Sequence, residues 1–187
     1  TIALAISSKI KIPFYPVPMT MQTFVVLLIG VLYGWKLGVA TVCLYLLEGI
    51  LGLPVFAGTP EKGVGIIYFT GPTMGYLIGF LFAVFLAGYF DYNKNIFINF
   101  FKLLIATSFI YLMGVAWLGS LLGYNNPLFE IGVQPFIIAE LFKITLITLI
   151  TLTPLTFKCL KLDLKITRVV GASPHTPAPA AGRPLMP

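Results

Sequence analysis

Three charged side chains, Glu48, Glu140 and Lys143, stand inside long apolar runs. A charge in hydrocarbon is costly unless it faces a cavity or a partner, so each is a candidate for function. Glu140 and Lys143 are three positions apart, which puts them on one face of a helix. An acceptor beside a cation suits a pocket for an amphiphilic polar ligand; the alternative is an ion pair that only fixes packing. Glu48 lies near the end of its run, within reach of interfacial water, and is open to either use. Gln22 and Trp117 are further pocket candidates by polarity and aromaticity, although a tryptophan at a membrane interface is commonly just an anchor.

Other chemistry lacks its residues. The single histidine, His175, falls in a Pro- and Ala-rich tail, so no imidazole is offered to catalysis or a metal in the apolar part of the chain. Cys43 and Cys159 have neither metal-ligand nor redox spacing and read as small buried hydrophobes. Nucleophile elbow, zinc-binding helix and phosphate loop are all missing from the sequence. The expectation is a non-enzyme without cofactor or metal; an intramembrane enzyme and a structural scaffold are the rival classes. Uphill transport by such a chain would need energy from elsewhere.

The elements that position these residues follow from composition. Of 187 residues 58% are hydrophobic and 10% charged, against about a quarter charged in a soluble domain, and the mean hydropathy is +0.98. At about 20 residues per crossing, this length accommodates roughly six spans. The apolar runs are continuous, whereas strands of a membrane barrel would alternate. The expected fold is therefore all-α, a polytopic transmembrane bundle of six helices. The first, within 1–8, is short enough to read as truncated; the others cover 20–33, 37–53, 72–90, a stretch within 97–123, and 135–157. Gly34, Trp35 and Lys36 form a connection short enough to force antiparallel neighbours. The loops 53–58 and 69–76 combine turn formers, aromatics and Thr70; they are either lids of a pocket or ordinary loops, and spacing alone does not choose. Gly30, Gly34 and Gly38, then Gly71, Gly75, Gly79, Ala83 and Ala87, lay small-residue stripes suited to close helix packing, and Ala3 and Ser7 make a shorter pair.

The formal charge of +6 is scattered over connections, which argues against nucleic acid and for loops at a lipid bilayer. Lys36, Lys94, Lys102, Lys158, Lys161, Lys165 and Arg168 collect on one side and Lys9, Lys11 and Lys62 on the other, an excess that places both termini in the cytoplasm. Residues 1–170 form the membrane domain, and the Pro- and Ala-rich 171–187 read as a disordered tail or an expression-vector remnant.

Together these segments resemble the BioY family. The resemblance is carried by Pro16-Val17-Pro18-Met19-Thr20-Met21-Gln22-Thr23, by Leu44 to Gly58 with Glu48, Pro54 and Phe56, and by Gly71-Pro72-Thr73-Met74-Gly75-Tyr76. It continues through Tyr111-Leu112-Met113-Gly114-Val115-Ala116-Trp117 and Pro135 to Lys143, leaving out only the tail after about residue 170. It implies a multi-pass subunit of the bacterial cytoplasmic membrane that binds biotin near the outer face. This would be the substrate-specific (S) component of an energy-coupling-factor (ECF) importer, with an S component for another vitamin or small amphiphile as the alternative. A transmembrane coupling protein and two cytoplasmic ATPases would supply energy, with Ala3 and Ser7 touching the coupling protein. Glu140 would accept from the ureido N–H groups, and Lys143 would pair with the valerate carboxylate or with Glu140 itself. Phe56, Tyr68, Tyr76 and Trp117 are expected to wall the bicyclic part, with Thr70 and Gln22 nearby. The family's last-helix motif usually reads Gly-Asp ahead of the lysine; here Ala139-Glu140 stands in its place, a carboxylate one methylene longer.

Overall fold

In the computed structural model, residues 1–12, 17–61 and 63–152 are described. The tail 171–187, Cys159 and the expected end of the last span lie outside them. The helices are α1 (Ile2–Lys9), α2 (Gln22–Ile50), α3 (Met74–Tyr89), α4 (Ile96–Leu122), the short α5 (Leu128–Gly132) and α6 (Ile137–Thr151). Two-residue strands β1 (Lys11–Ile12) and β2 (Met19–Thr20) pair antiparallel ahead of α2.

Although α2 runs over 29 residues, it is folded in two at Gly34, whose φ of 73° a side-chain-bearing residue rarely adopts. The arms 22–33 and 35–50 lie side by side and antiparallel. A Cβ built on Gly38 would lie 3.5 Å from the Gly30 Cα, and Gln22 Nε2 donates to the Tyr45 hydroxyl at 2.6 Å. The bundle therefore has the six expected rods: α1, the two arms of α2, α3, α4 and α6. By length and apolarity Gln22–Ile50, Ile96–Leu122 and Leu128–Thr151 suffice to cross a membrane, and α3 is shorter. A crossing assigned to Gln22–Ile50 as one straight rod would be wrong, because the turn at Gly34 brings its two ends together.

Lipid is as apolar as leucine, so packing between these rods depends on close backbone approach. Small residues provide it. A Cβ on Gly88 would sit 2.3 Å from the Trp35 backbone nitrogen, one on Gly79 would sit 2.6 Å from the Ile110 Cα, and one on Gly75 would sit 2.4 Å from the Met113 carbonyl oxygen. The stripes are thus used within the chain. Large side chains such as Leu44, Phe97, Phe101, Ile138 and Phe142 face outward, and Cys43, expected inside, is also exposed there. Its place on the arm 35–50 is beside Leu44 on the outer surface.

The two ends of the bundle are built differently. At one, the Asn95 side chain caps α4 by accepting from Phe97 N and Ile98 N, and buried Asn99 donates to the Asn93 carbonyl at 2.8 Å and to Thr151 Oγ1 at 2.9 Å. This clasps the 90–95 turn to the end of α6. At the other end, Lys9 Nζ donates to the carbonyls of Phe56 (3.0 Å) and Thr59 (3.2 Å), while Ser8 Oγ donates to the Val55 carbonyl at 2.7 Å. The loop after α2 is thereby bolted to α1. It ends in a 3-10 turn, Gly65–Thr70, which leads into α3.

Candidate functional site

The bolted loop, the β2 strand, the nearby ends of α2, α3 and α6 and the middle of α4 enclose a cavity of about 50 Å³. Gln22, Thr23, Tyr68, Tyr76, Tyr111 and Glu140 bring its polar atoms, and Val17, Leu77, Phe80, Ile110 and Phe136 supply apolar wall. Each tyrosine is placed by a different element. The Tyr68 hydroxyl donates to the Ala57 carbonyl at 2.8 Å and that of Tyr76 to the Gly132 carbonyl at 2.9 Å, whereas Tyr111 projects from the middle of α4. Burial raises the Tyr68 phenol above its ordinary pKa, so it stays a donor.

Glu140 and Lys143 are both buried, at 5% and 4% exposure. Glu140 Oε1 accepts from Lys143 Nζ at 2.7 Å and from Thr23 Oγ1 at 2.8 Å. Lys143 Nζ also donates to the Thr20 carbonyl at 2.7 Å and to Thr23 Oγ1 at 3.0 Å. With three acceptors for three protons, the ammonium is fully used. It stands behind the carboxylate, outside the cavity lining. Glu140 Oε2 is the opposite case: it is buried with no hydrogen-bond partner among the described residues. A buried carboxylate oxygen without a donor is expensive, and its exceptional state calls for an explanation at the cavity it lines.

The other expected residues divide. Gln22, Tyr68, Tyr76 and Glu140 line the cavity together. Phe56 lies one layer back, stacked on Tyr68 with centroids 4.8 Å apart and edge-on to Tyr45 at 5.3 Å. Trp117 donates from Nε1 to the Gly71 carbonyl at 3.0 Å, fixing the start of α3 from outside the lining. Thr70 is exposed and turns its hydroxyl to the Ile67 carbonyl. Glu48 is half-buried, away from the cavity. On α1, Ala3 faces outward, whereas Ser7 is buried and donates to the Leu4 carbonyl. Sequence reasoning had not singled out Thr23, Tyr111 or Phe136. All three lie in stretches that carried the resemblance, Thr23 next to Gln22, but no spacing rule links Tyr111 on α4 to Phe136 at the start of α6.

The BioY family profile matches residues 1–157. The chain belongs to the BioY family. The "Probable biotin transporter BioY" of Pyrococcus horikoshii is 38% identical over 139 residues, 74% of this chain and 81% of that relative. The "Biotin transporter BioY" of Thermotoga maritima is 35% identical over 153 residues, covering 81% and 89%. Among solved structures, the S-component for biotin from an ECF-type ABC transporter superposes with a TM-score of 0.56 at 25% identity, over 92% of this chain and 87% of that one. BioY is a family of transporter components and not of enzymes, and its apolar helices make this chain a multi-pass membrane protein.

Proposed function

We propose that this BioY-family chain is the biotin-binding S component of an ECF-type importer and takes up biotin through the bacterial cytoplasmic membrane. The observation that carries the reading is the unpaired Oε2 of buried Glu140 in an aromatic-walled cavity. Biotin matches it chemically. Its ureido ring offers N–H donors to a carboxylate, and its fused apolar rings suit Tyr68, Tyr76 and Phe80. A charge-assisted N–H···O bond to Oε2 would satisfy the buried acceptor left open among the described residues. Gln22 stands beside as a second polar contact. Lys143, with its protons already placed, acts by pairing with Glu140 and orienting it, and leaves the valerate carboxylate to other groups.

Phe56, Trp117 and Thr70 support the site by packing and loop geometry. Energy comes from a transmembrane coupling protein and cytoplasmic ATPases, with the outward face of α1, including Ala3, as the contact and Ser7 inside it. Both termini lie in the cytoplasm, on the Lys36 and Lys94 side, and the cavity lies at the outer-face end of the bundle. Calorimetric titration of the purified chain tests the reading: saturable biotin binding at one site is expected. Absence of binding, or equal binding of vitamins that lack a ureido group, refutes it.

A further inference from the structure

A cavity of about 50 Å³ exceeds the space of one water, but pockets for small ligands span about 300 to 1,000 Å³. Some part of the wall must therefore leave before a vitamin-sized molecule fits. Most polar members of the wall are tied down: Tyr68 to the Ala57 carbonyl, Tyr76 to the Gly132 carbonyl, Gln22 to Tyr45, and Glu140 to Thr23 and Lys143. Tyr111 is the exception. Its phenol is an electrostatic neighbour of the Glu140 carboxylate, yet among the described residues no carbonyl accepts from it. Its ring packs against the core with its nearest aromatic neighbours at 6.0 Å (Tyr76, edge-on) and 6.1 Å (Phe136, tilted).

Behind Tyr111 lies somewhere for the ring to go. Leu104, Thr107, Ser108, Ile137, Leu141 and Ile144 line a second, almost wholly apolar space of about 220 Å³ between α4 and α6, open toward the outside of the bundle. Tyr111 and Glu140 line both spaces, so these two side chains are the partition between them. An apolar cavity of about 150 Å³ accommodates benzene, so the groove is large enough for a phenol ring.

We infer that Tyr111 is a side-chain shutter for the biotin site. In the empty state its ring fills space beside Glu140 that the ligand needs, and on binding the ring swings into the α4/α6 groove and yields its volume to the ligand. This rests on the biotin reading above and adds to it the residue that controls admission and the space that receives it.

The test is a stopped-flow double-variant cycle with biotin on the purified full chain. Ser108 is exposed on the outer rim of the groove, so Ser108→Phe fills the receiving space without touching Glu140. It should slow association at least about tenfold, one decade of barrier. In a Tyr111→Leu background, where no ring needs the space, the same substitution should change nothing. Tyr111→Phe, which keeps the ring and with it the obstruction, should bind within about threefold of the parent and retain the Ser108→Phe effect. An equal effect of Ser108→Phe in both backgrounds, or none in either, overturns the shutter while leaving biotin binding intact. Weaker binding by Tyr111→Phe overturns it as well, by making the hydroxyl a ligand contact. A parent chain that binds no biotin sinks the underlying reading, and the shutter with it.

Discussion

Replacing Glu140 with alanine removes two interactions at once, and the structure separates them. Oε1 is the protein's own acceptor: losing it takes one of three partners from Lys143 and one from Thr23. Breaking a buried ion pair from one side costs about 3–5 kcal/mol, a large part of the roughly 5–15 kcal/mol that holds a folded domain. Oε2 is the acceptor left for the ligand. One hydrogen bond to a charged group is worth about 1.5–3 kcal/mol, so its loss weakens binding by about ten- to 150-fold. The single variant confounds the two, so the informative protein is Glu140→Ala combined with Lys143→Met. With both charges gone the packing penalty largely disappears, and the thermal midpoint should return toward the parent's. Biotin affinity should not return. Calorimetric titration beside a circular-dichroism melt reads both quantities. A folded double variant that binds biotin within about threefold of the parent would show that the carboxylate serves packing alone.

Lys9→Met removes the donor that holds the Phe56 and Thr59 carbonyls; partial exposure discounts those bonds, and a loss of about 1–2 kcal/mol in stability is expected by thermal melt. Gly88→Ala pushes a methyl into the Trp35 backbone nitrogen, 2.3 Å away, and should abolish the monodisperse peak in size-exclusion chromatography, overpacking against backbone costing about 1–3 kcal/mol or more. Burial lifts the Tyr68 phenol above its ordinary value, so the unfolded chain loses that proton first as the solution is made alkaline. This contribution is complete below about pH 10 and fades as pH rises beyond it toward the higher folded value. Tyr68→Phe should accordingly melt lower than the parent at pH 8, by roughly 1 kcal/mol for the lost bond to Ala57, and the gap should narrow above pH 10.

Apolar runs and turn residues made the rods legible, because lipid demands long helices and Gly34-Trp35-Lys36 leaves no length for anything but a reversal. The i, i+3 spacing likewise made Glu140 and Lys143 legible as a pair. What it left open was direction: only the fold shows the ammonium turned back to Thr20 and Thr23, and one carboxylate oxygen turned to the cavity. Thr23 and Glu140 are 117 positions apart, and no local pattern encodes such a contact. Aromatic residues were legible by type but not by layer. Phe56 and Trp117 are as aromatic as Tyr76, yet one fills the second layer and the other clamps Gly71. Tyr111 opened one of the motifs that carried the resemblance but was given no role in the site, because its meaning depends on what surrounds it in the fold.

The reversal at Gly34 also fixes parity. A chain that turns back there presents residue 22 and residue 50 to the same compartment; one that ran straight would deliver everything after residue 50 to the opposite one. The Lys9 bolt, the aromatic cavity and the loop before α3 could then never meet, and a single backbone angle of 73° keeps them in one compartment.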